Sequence, residues 1–177
     1  MSRKNVCLIA ATMILTTGFQ QGGHKNDQTS LIEFSPKDGG FSIMMPDKPS
    51  QRDLSHNTDN GKASSPLYEL TKDAFKYVIT YLDYPFSAEG KERDKLLDTG
   101  AEAGITNVGG KVVSNTPISI DSYPGREVKG EMQGILYRSR VYLVRQRLYL
   151  LIVWMPTTKA SSENATKFLE SFKLVAR

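Results

Sequence analysis

The sequence predicts an α+β fold built on a sheet covered on both faces. Three observations carry that prediction. Strand-like runs broken by tight-turn residues recur from residue 31 to residue 154. Two stretches instead show a helical period, residues 89–108 and a shorter one near the C-terminus. The run Leu148-Tyr149-Leu150-Leu151-Ile152-Val153-Trp154 is apolar at every position. A strand of that kind has no side to turn to water, so both its faces must be covered.

The N-terminus reads as an export signal. Met1-Ser2-Arg3-Lys4-Asn5 supplies two cations, Val6 to Leu15 is apolar, and Thr16-Thr17-Gly18 leads into the polar stretch Gln20 to Ser30. The apolar stretch is too short to cross about 30 Å of hydrocarbon as a helix. The expected division is a signal peptide over residues 1–22, a flexible tether over 23–30 and one domain over 31–177. The expected destination is periplasmic or extracellular. Cys7 opens the apolar core, whereas a lipid-modified cysteine would end it. Loss of the signal therefore removes the only cysteine, and with it any disulfide, thiol nucleophile or cysteine metal ligand. The formal charge of the whole chain is +4. It falls by two when Arg3 and Lys4 leave, which is no footprint of nucleic-acid binding.

The elements follow in order. Phe34-Ser35-Pro36-Lys37-Asp38-Gly39-Gly40-Phe41 sets turn residues between two short apolar segments and predicts a hairpin. Phe41 to Met45 is its return strand. Asp59-Asn60-Gly61 predicts a second tight turn between Gln51–Thr58 and Lys62–Thr71, because Asn-Gly accepts positive φ. Lys72-Asp73 turns the chain into a strand from Phe75 to Tyr84. From Glu89 to Val108, Leu97, Ala101, Ile105 and Val108 fall one turn apart, and Gly109-Gly110 stops the helix. Gly100 and Gly104 inside it mark close backbone packing. Strands are expected over Val112–Ile120, Arg126–Met132, Ile135–Val144 and Leu148–Trp154, with a turn at Tyr123-Pro124-Gly125. The last helix carries the stripe Ala165, Phe168, Leu169 and Phe172, capped by Ser161 or Ser162. That stripe is expected on Leu150 and Ile152, with Leu174 and Val175 as a docked tail.

No catalytic, cofactor-binding or metal-binding set emerges. Gly104 to Lys111 lacks the Gly-Lys-Ser/Thr ending of a phosphate loop and leaves a helix for a strand. His24 and His56 are the only histidines, and zinc would need carboxylates brought to them from distant segments. No Gly-x-Ser-x-Gly elbow occurs. The spacing before Gly61 does not fit a calcium loop. Asp83 and Asp98 are the acids that could meet in space and bind a cation or move protons. Asn164-Ala165-Thr166 matches a glycosylation triplet inside a helix. Arg126, Lys129, Arg138, Arg140, Arg145 and Arg147 make the later strands basic. Arg138 and Arg140 share one strand face with Tyr142 two residues on. These three residues are the candidate partner-binding set. Arginine grips carboxylates in a fork, and tyrosine supplies amphipathic contact area. The competing reading places the two arginines beneath a helix, paired with acids such as Glu163 or Glu170.

Phe34-Ser35-Pro36, then Gly40-Phe41-Ser42-Ile43 and Pro46, then Tyr77-x-Ile79-x-Tyr81-x-Asp83-x-Pro85 resemble the opening of PsbP-like proteins. Arg147-Leu148-Tyr149-x-Leu151 and Ala165-x-x-Phe168-Leu169-x-Ser171-Phe172 resemble their closing strand and helix. The resemblance implies the Mog1/PsbP fold, an antiparallel sheet with helices on both faces. It also implies protein binding: members of the wider fold serve as extrinsic photosystem II subunits in the thylakoid lumen or bind a small GTPase. The expectation is an exported, non-catalytic binding or accessory module without a cofactor. Its expected partner is an envelope or membrane-associated protein, with a lumenal site if the source is photosynthetic. The alternatives are a carrier holding a small molecule or lipid between sheet and helix, and a hydrolase using dispersed acids.

Overall fold

The computed structural model describes residues 30–58 and 61–175, with the backbone alone at 55–58 and 61–64. The expected signal segment, the expected tether as far as Thr29, and His24 lie outside the described residues, as do Asp59 and Asn60.

Among the described residues there are ten strands and two α-helices, and all but the last short strand fall where the periodicities predict them. β1 (Ile32–Phe34) and β2 (Phe41–Met45) form the first hairpin, with Phe34 opposite Ile43. β3 (Ser50–Thr58) and β4 (Gly61–Lys72) pair antiparallel, with Thr58 opposite Gly61. β5 (Phe75–Asp83), α1 (Gly90–Thr106), β6 (Lys111–Ile120), β7 (Tyr123–Met132), β8 (Ile135–Val144) and β9 (Arg147–Pro156) follow. α2 (Glu163–Glu170) and the short β10 (Lys173–Leu174) end the described chain.

The strands make two sheets, not one. Seven run antiparallel in the order β3-β4-β5-β9-β8-β7-β6, and β1-β2-β10 form a separate three-stranded sheet. The expected docked tail is thus a strand: Lys173 pairs with Ser42 and Leu174 with Phe41. β9 lies in the middle of the large sheet, which explains its apolar sequence. Its residues alternate between two cores. Tyr149, Leu151, Val153 and Met155 pack with Phe168, Leu169 and Phe172 of the α2 region and with Phe41 and Ile43 of β2. Leu148, Leu150, Ile152 and Trp154 pack with Leu97, Ala101 and Ile105 of α1.

This alternation corrects one expectation. Leu150 and Ile152 face α1, and the last helix lies on Leu151 and Val153. A strand apolar on both sides carries no internal mark of phase, and a one-residue slip exchanges its faces.

Two turns sit slightly off their predicted places. Asp73 and Ala74 both have positive φ between paired Lys72 and Phe75. Asp121 and Ser122 do the same between Ile120 and Tyr123, so Tyr123-Pro124-Gly125 belongs to β7. Such turns match the strand twist and demand left-handed backbone, which Asp tolerates better than bulkier residues.

The glycines of α1 are packing sites. A Cβ on Gly104 would meet Tyr137 ring carbons at 3.0 Å and its hydroxyl closer still. The gap lets Tyr137 and Ser139 both donate to the Ala101 carbonyl at 3.1 Å. Gly109, at φ +77, then ends the helix, and Gly110 N–H reaches back to the Ile105 carbonyl. Gly104 to Lys111 is therefore a helix stop leading into β6.

Candidate functional site

The candidate set lies on the α2 side of β7 and β8. Strand pairing puts Glu127 directly opposite Arg140, and Lys129 directly opposite Arg138. Arg140 Nε donates to Glu127 Oε2 at 2.6 Å, and its Nη1 donates to the Leu169 carbonyl at 3.2 Å. That carbonyl belongs to the last turn of α2, where a cation suits the helix dipole. Burial alone would lower the Arg140 pKa, yet the Glu127 carboxylate holds it above the usual value. Arg138 Nη1 donates to the Thr166 hydroxyl of α2 at 3.1 Å, and its Nη2 stands 3.8 Å from Glu127. Both arginine side chains are under 20% exposed.

Tyr142 is further in. It stacks on Phe172 with the ring planes 2° apart and is 4% exposed. Burial pushes its phenol pKa up. The structure therefore brings Arg138 and Arg140 together on one face but places Tyr142 in the core beside them. The acid that meets the arginines is Glu127 on the neighbouring strand. Glu163 instead pairs with Lys167 along α2 at 2.6 Å. Glu127 could have been found from sequence only with the β7–β8 register in hand, since it is the residue that the register sets against Arg140.

A second ionic group closes one end of the sheet. Asp83 on β5 and Arg147 on β9 are register partners. Arg147 Nε and Nη2 grip the two Asp83 oxygens at 2.5 Å each. Its Nη1 donates to the carbonyls of Asp38 and Gly39 at 2.9 Å, and its guanidinium lies 4.1 Å from the Tyr81 ring centroid. Tyr149 hydroxyl also donates to Gly39. One arginine thus ties two strands to the β1–β2 hairpin loop.

Asp98 is held elsewhere. It accepts from Arg126 Nε at 2.7 Å and from Asn115 at 3.1 Å. Asp83 and Asp98 each answer to a different arginine. Among the described residues no group of three or more His, Cys, Asp or Glu side chains could hold a metal ion. Beneath α1, Gly104 lies close against Tyr137 and Gly100 against Leu148. Asn164 of the glycosylation triplet is 8% exposed, so a glycan there would have to displace core.

No family model and no curated protein matches the chain. Solved structures do. The solution structure of cyanobacterial PsbP (CyanoP) from Synechocystis sp. PCC 6803 aligns over 88% of this chain and 98% of its own, with a TM-score of 0.60 at 9% identity. A protein of unknown function, PA94 from Pseudomonas aeruginosa, aligns over 83% of this chain and 97% of its own, with a TM-score of 0.46 at 14% identity. The second likeness is too loose to carry weight. Among the described residues no helix is long and apolar enough to cross a membrane. The first likeness, with its TM-score of 0.60 over most of both chains, bears on the fold alone, and on that ground this chain has the PsbP fold.

Proposed function

We infer that this chain is an exported, non-catalytic accessory protein that acts by binding another protein. The observation that supports the reading is how its ionic groups are spent. The acids that could have done chemistry, Asp83 and Asp98, are each engaged by an arginine in the frame of the fold. The β7–β8 face instead gathers Lys129, Arg138 and Arg140 around one carboxylate, Glu127. A surface with cations in excess recruits acidic partners and steers their approach. The PsbP fold is consistent with this role, although a fold by itself does not assign one. Export rests on the charged, apolar and small-residue layout of residues 1–22.

The test uses protein purified from its native host. Intact mass is expected to lack about the first 22 residues. Cross-linking in the envelope fraction is expected to join one recurrent protein to the β7–β8 face. A full-length mass in the soluble fraction would sink the export reading. Cross-links scattered over many proteins and many faces would sink the binding reading.

A further inference from the structure

The two edges of the seven-stranded sheet differ. β6 forms one and β3 the other. β6 is blunted. Its register with β7 is broken by a bulge between Val112 and Ser114, which leaves Val113 60% exposed, and Pro117 takes an N–H out of its middle. Bulges and prolines of this kind keep an edge from pairing with another chain. β3 carries neither device. Its pairing with β4 runs unbroken from Ser50 to Thr58, and no proline falls within it.

The outer half of the same hairpin lacks a neighbour. β4 pairs with β5 only from Leu67 onward. The register would next oppose Pro66 to Tyr81, and proline has no N–H to give. Residues 53–58 and 61–66 therefore form a two-stranded ribbon with no third strand among the described residues. Such a ribbon is marginal in water, and a further strand stabilises it. The open side of β3 can take one.

β3 is also suited to pair with itself. Two identical antiparallel strands are related by a twofold axis perpendicular to the sheet. That axis keeps each face on its own side and opposes only residues of the same face, so it passes between one residue and its own copy. An axis at Arg52 or at Asp53 would set like charges against each other, which destabilises a pair. An axis at Leu54 opposes Arg52 to His56, Asp53 to Ser55 and Leu54 to Leu54, and it matches all nine residues of the strand. Leu54 packs against the α1-side core, so this pairing carries that core across the axis.

We propose that β3 is a self-association edge: two copies of this chain pair it antiparallel about an axis at Leu54 and form a closed dimer with one sheet running through both. Closure follows from the contrast between the edges. A chain with two open edges would add copies without end, whereas one open and one blunted edge stop at two. The association goes beyond the binding of a different protein. It uses the edge of the sheet opposite β7 and β8, so either can fail without the other.

The experiment uses protein purified from its native host. Light scattering over a concentration series is expected to reach twice the mass of one chain, with no larger species. Leu54→Cys sets the new thiol beside its own copy, where opposed Cα atoms stand about 4.5–5.5 Å apart and a disulfide can close. Oxidation is expected to give a covalent dimer. Asn57→Cys lies about 20 Å from its copy in this register and is expected to give none. Both carry Cys7→Ser, so that no other cysteine is present. Ser55→Asp sets a carboxylate against Asp53 twice across the axis and is expected to weaken the dimer about tenfold. Ser55→Lys is expected to strengthen it by a similar factor.

A monomer at every concentration overturns the proposal, and so does open-ended assembly. A dimer that neither Ser55 variant changes overturns it, because the contact then lies elsewhere. A dimer linked through Asn57→Cys and not through Leu54→Cys overturns it as well, because the register is then different. If Ser55→Asp unfolds the chain, Ser55→Lys decides: a dimer that it fails to strengthen overturns the proposal.

Discussion

Arg147 and Asp83 face each other across the β5–β9 ladder, and the guanidinium holds both carboxylate oxygens at 2.5 Å. The two ends of the pair differ: the Arg147 side chain is 10% exposed and that of Asp83 is 61% exposed. The arginine therefore matters more than its acid. Arg147→Met is expected to lose the carbonyl bonds to Asp38 and Gly39 together with the Tyr81 contact, costing about 2–3 kcal/mol. Asp83→Asn is expected to cost under about 1 kcal/mol, since water replaces the exposed partner. Chemical denaturation of the two variants checks the order, and equal losses would contradict it.

Glu127 lies within 4.0 Å of three cations, Lys129, Arg138 and Arg140, so its removal is expected to hurt more than the removal of any one of them. Glu127→Gln leaves Arg140 largely buried without a countercharge and is expected to cost about 2–4 kcal/mol. Adding Lys129→Gln to that variant is expected to return part of the loss, because the remaining cations repel less. A double-mutant cycle measures the coupling. Additive losses would show that the two side chains do not share a field.

The two glycines of α1 are expected to respond differently to alanine. Gly104→Ala forces a methyl into Tyr137 and is expected to cost about 1–3 kcal/mol, partly recovered when Tyr137→Phe removes the hydroxyl. Gly100→Ala meets the flexible end of Leu148 at 3.2 Å and Val141 at an ordinary 3.7 Å. Its crowding is opposed by a helix-propensity gain of up to about 1 kcal/mol, so its net effect is expected to be small. Thermal melts of the three variants decide this, and a neutral Gly104→Ala would mean that α1 sits farther from the sheet.

Alkali is expected to destabilise the fold through its buried tyrosines. Burial raises the Tyr68 pKa from 10.0 to about 12, and it raises those of Tyr81, Tyr137 and Tyr142 as well. The folded state therefore keeps protons that the unfolded chain gives up near pH 10. The contribution is fully present below pH 10 and is lost as pH rises towards about 12. Tyr68→Phe is expected to flatten its share of that fall. A tyrosinate absorbance titration in which all eight tyrosines ionise together near pH 10 while the protein stays folded would refute it.

The sequence by itself determined the kind and order of the elements. Alternation along Phe75 to Tyr84, the 3.6-residue stripes of α1 and α2, and Gly109-Gly110 after the first helix are local signals, and each needs only nearby residues to be read. The all-apolar run of β9 was enough to require cover on both faces. Tertiary structure decided everything that depends on which residues meet. The phase of β9 came from packing, because Leu150 and Leu151 are equally apolar and only the layers above and below distinguish them. The split into two sheets came from β10 returning to β2, a pairing of Leu174 with Phe41 across most of the chain. The fate of the arginines was decided in the same way. Arg138, Arg140 and Tyr142 follow one another at a two-residue spacing and point to one side. Their exposure was set by α2 folding over them and by Glu127 arriving on β7. Side-chain direction is a property of one strand, whereas burial and charge balance belong to its neighbours.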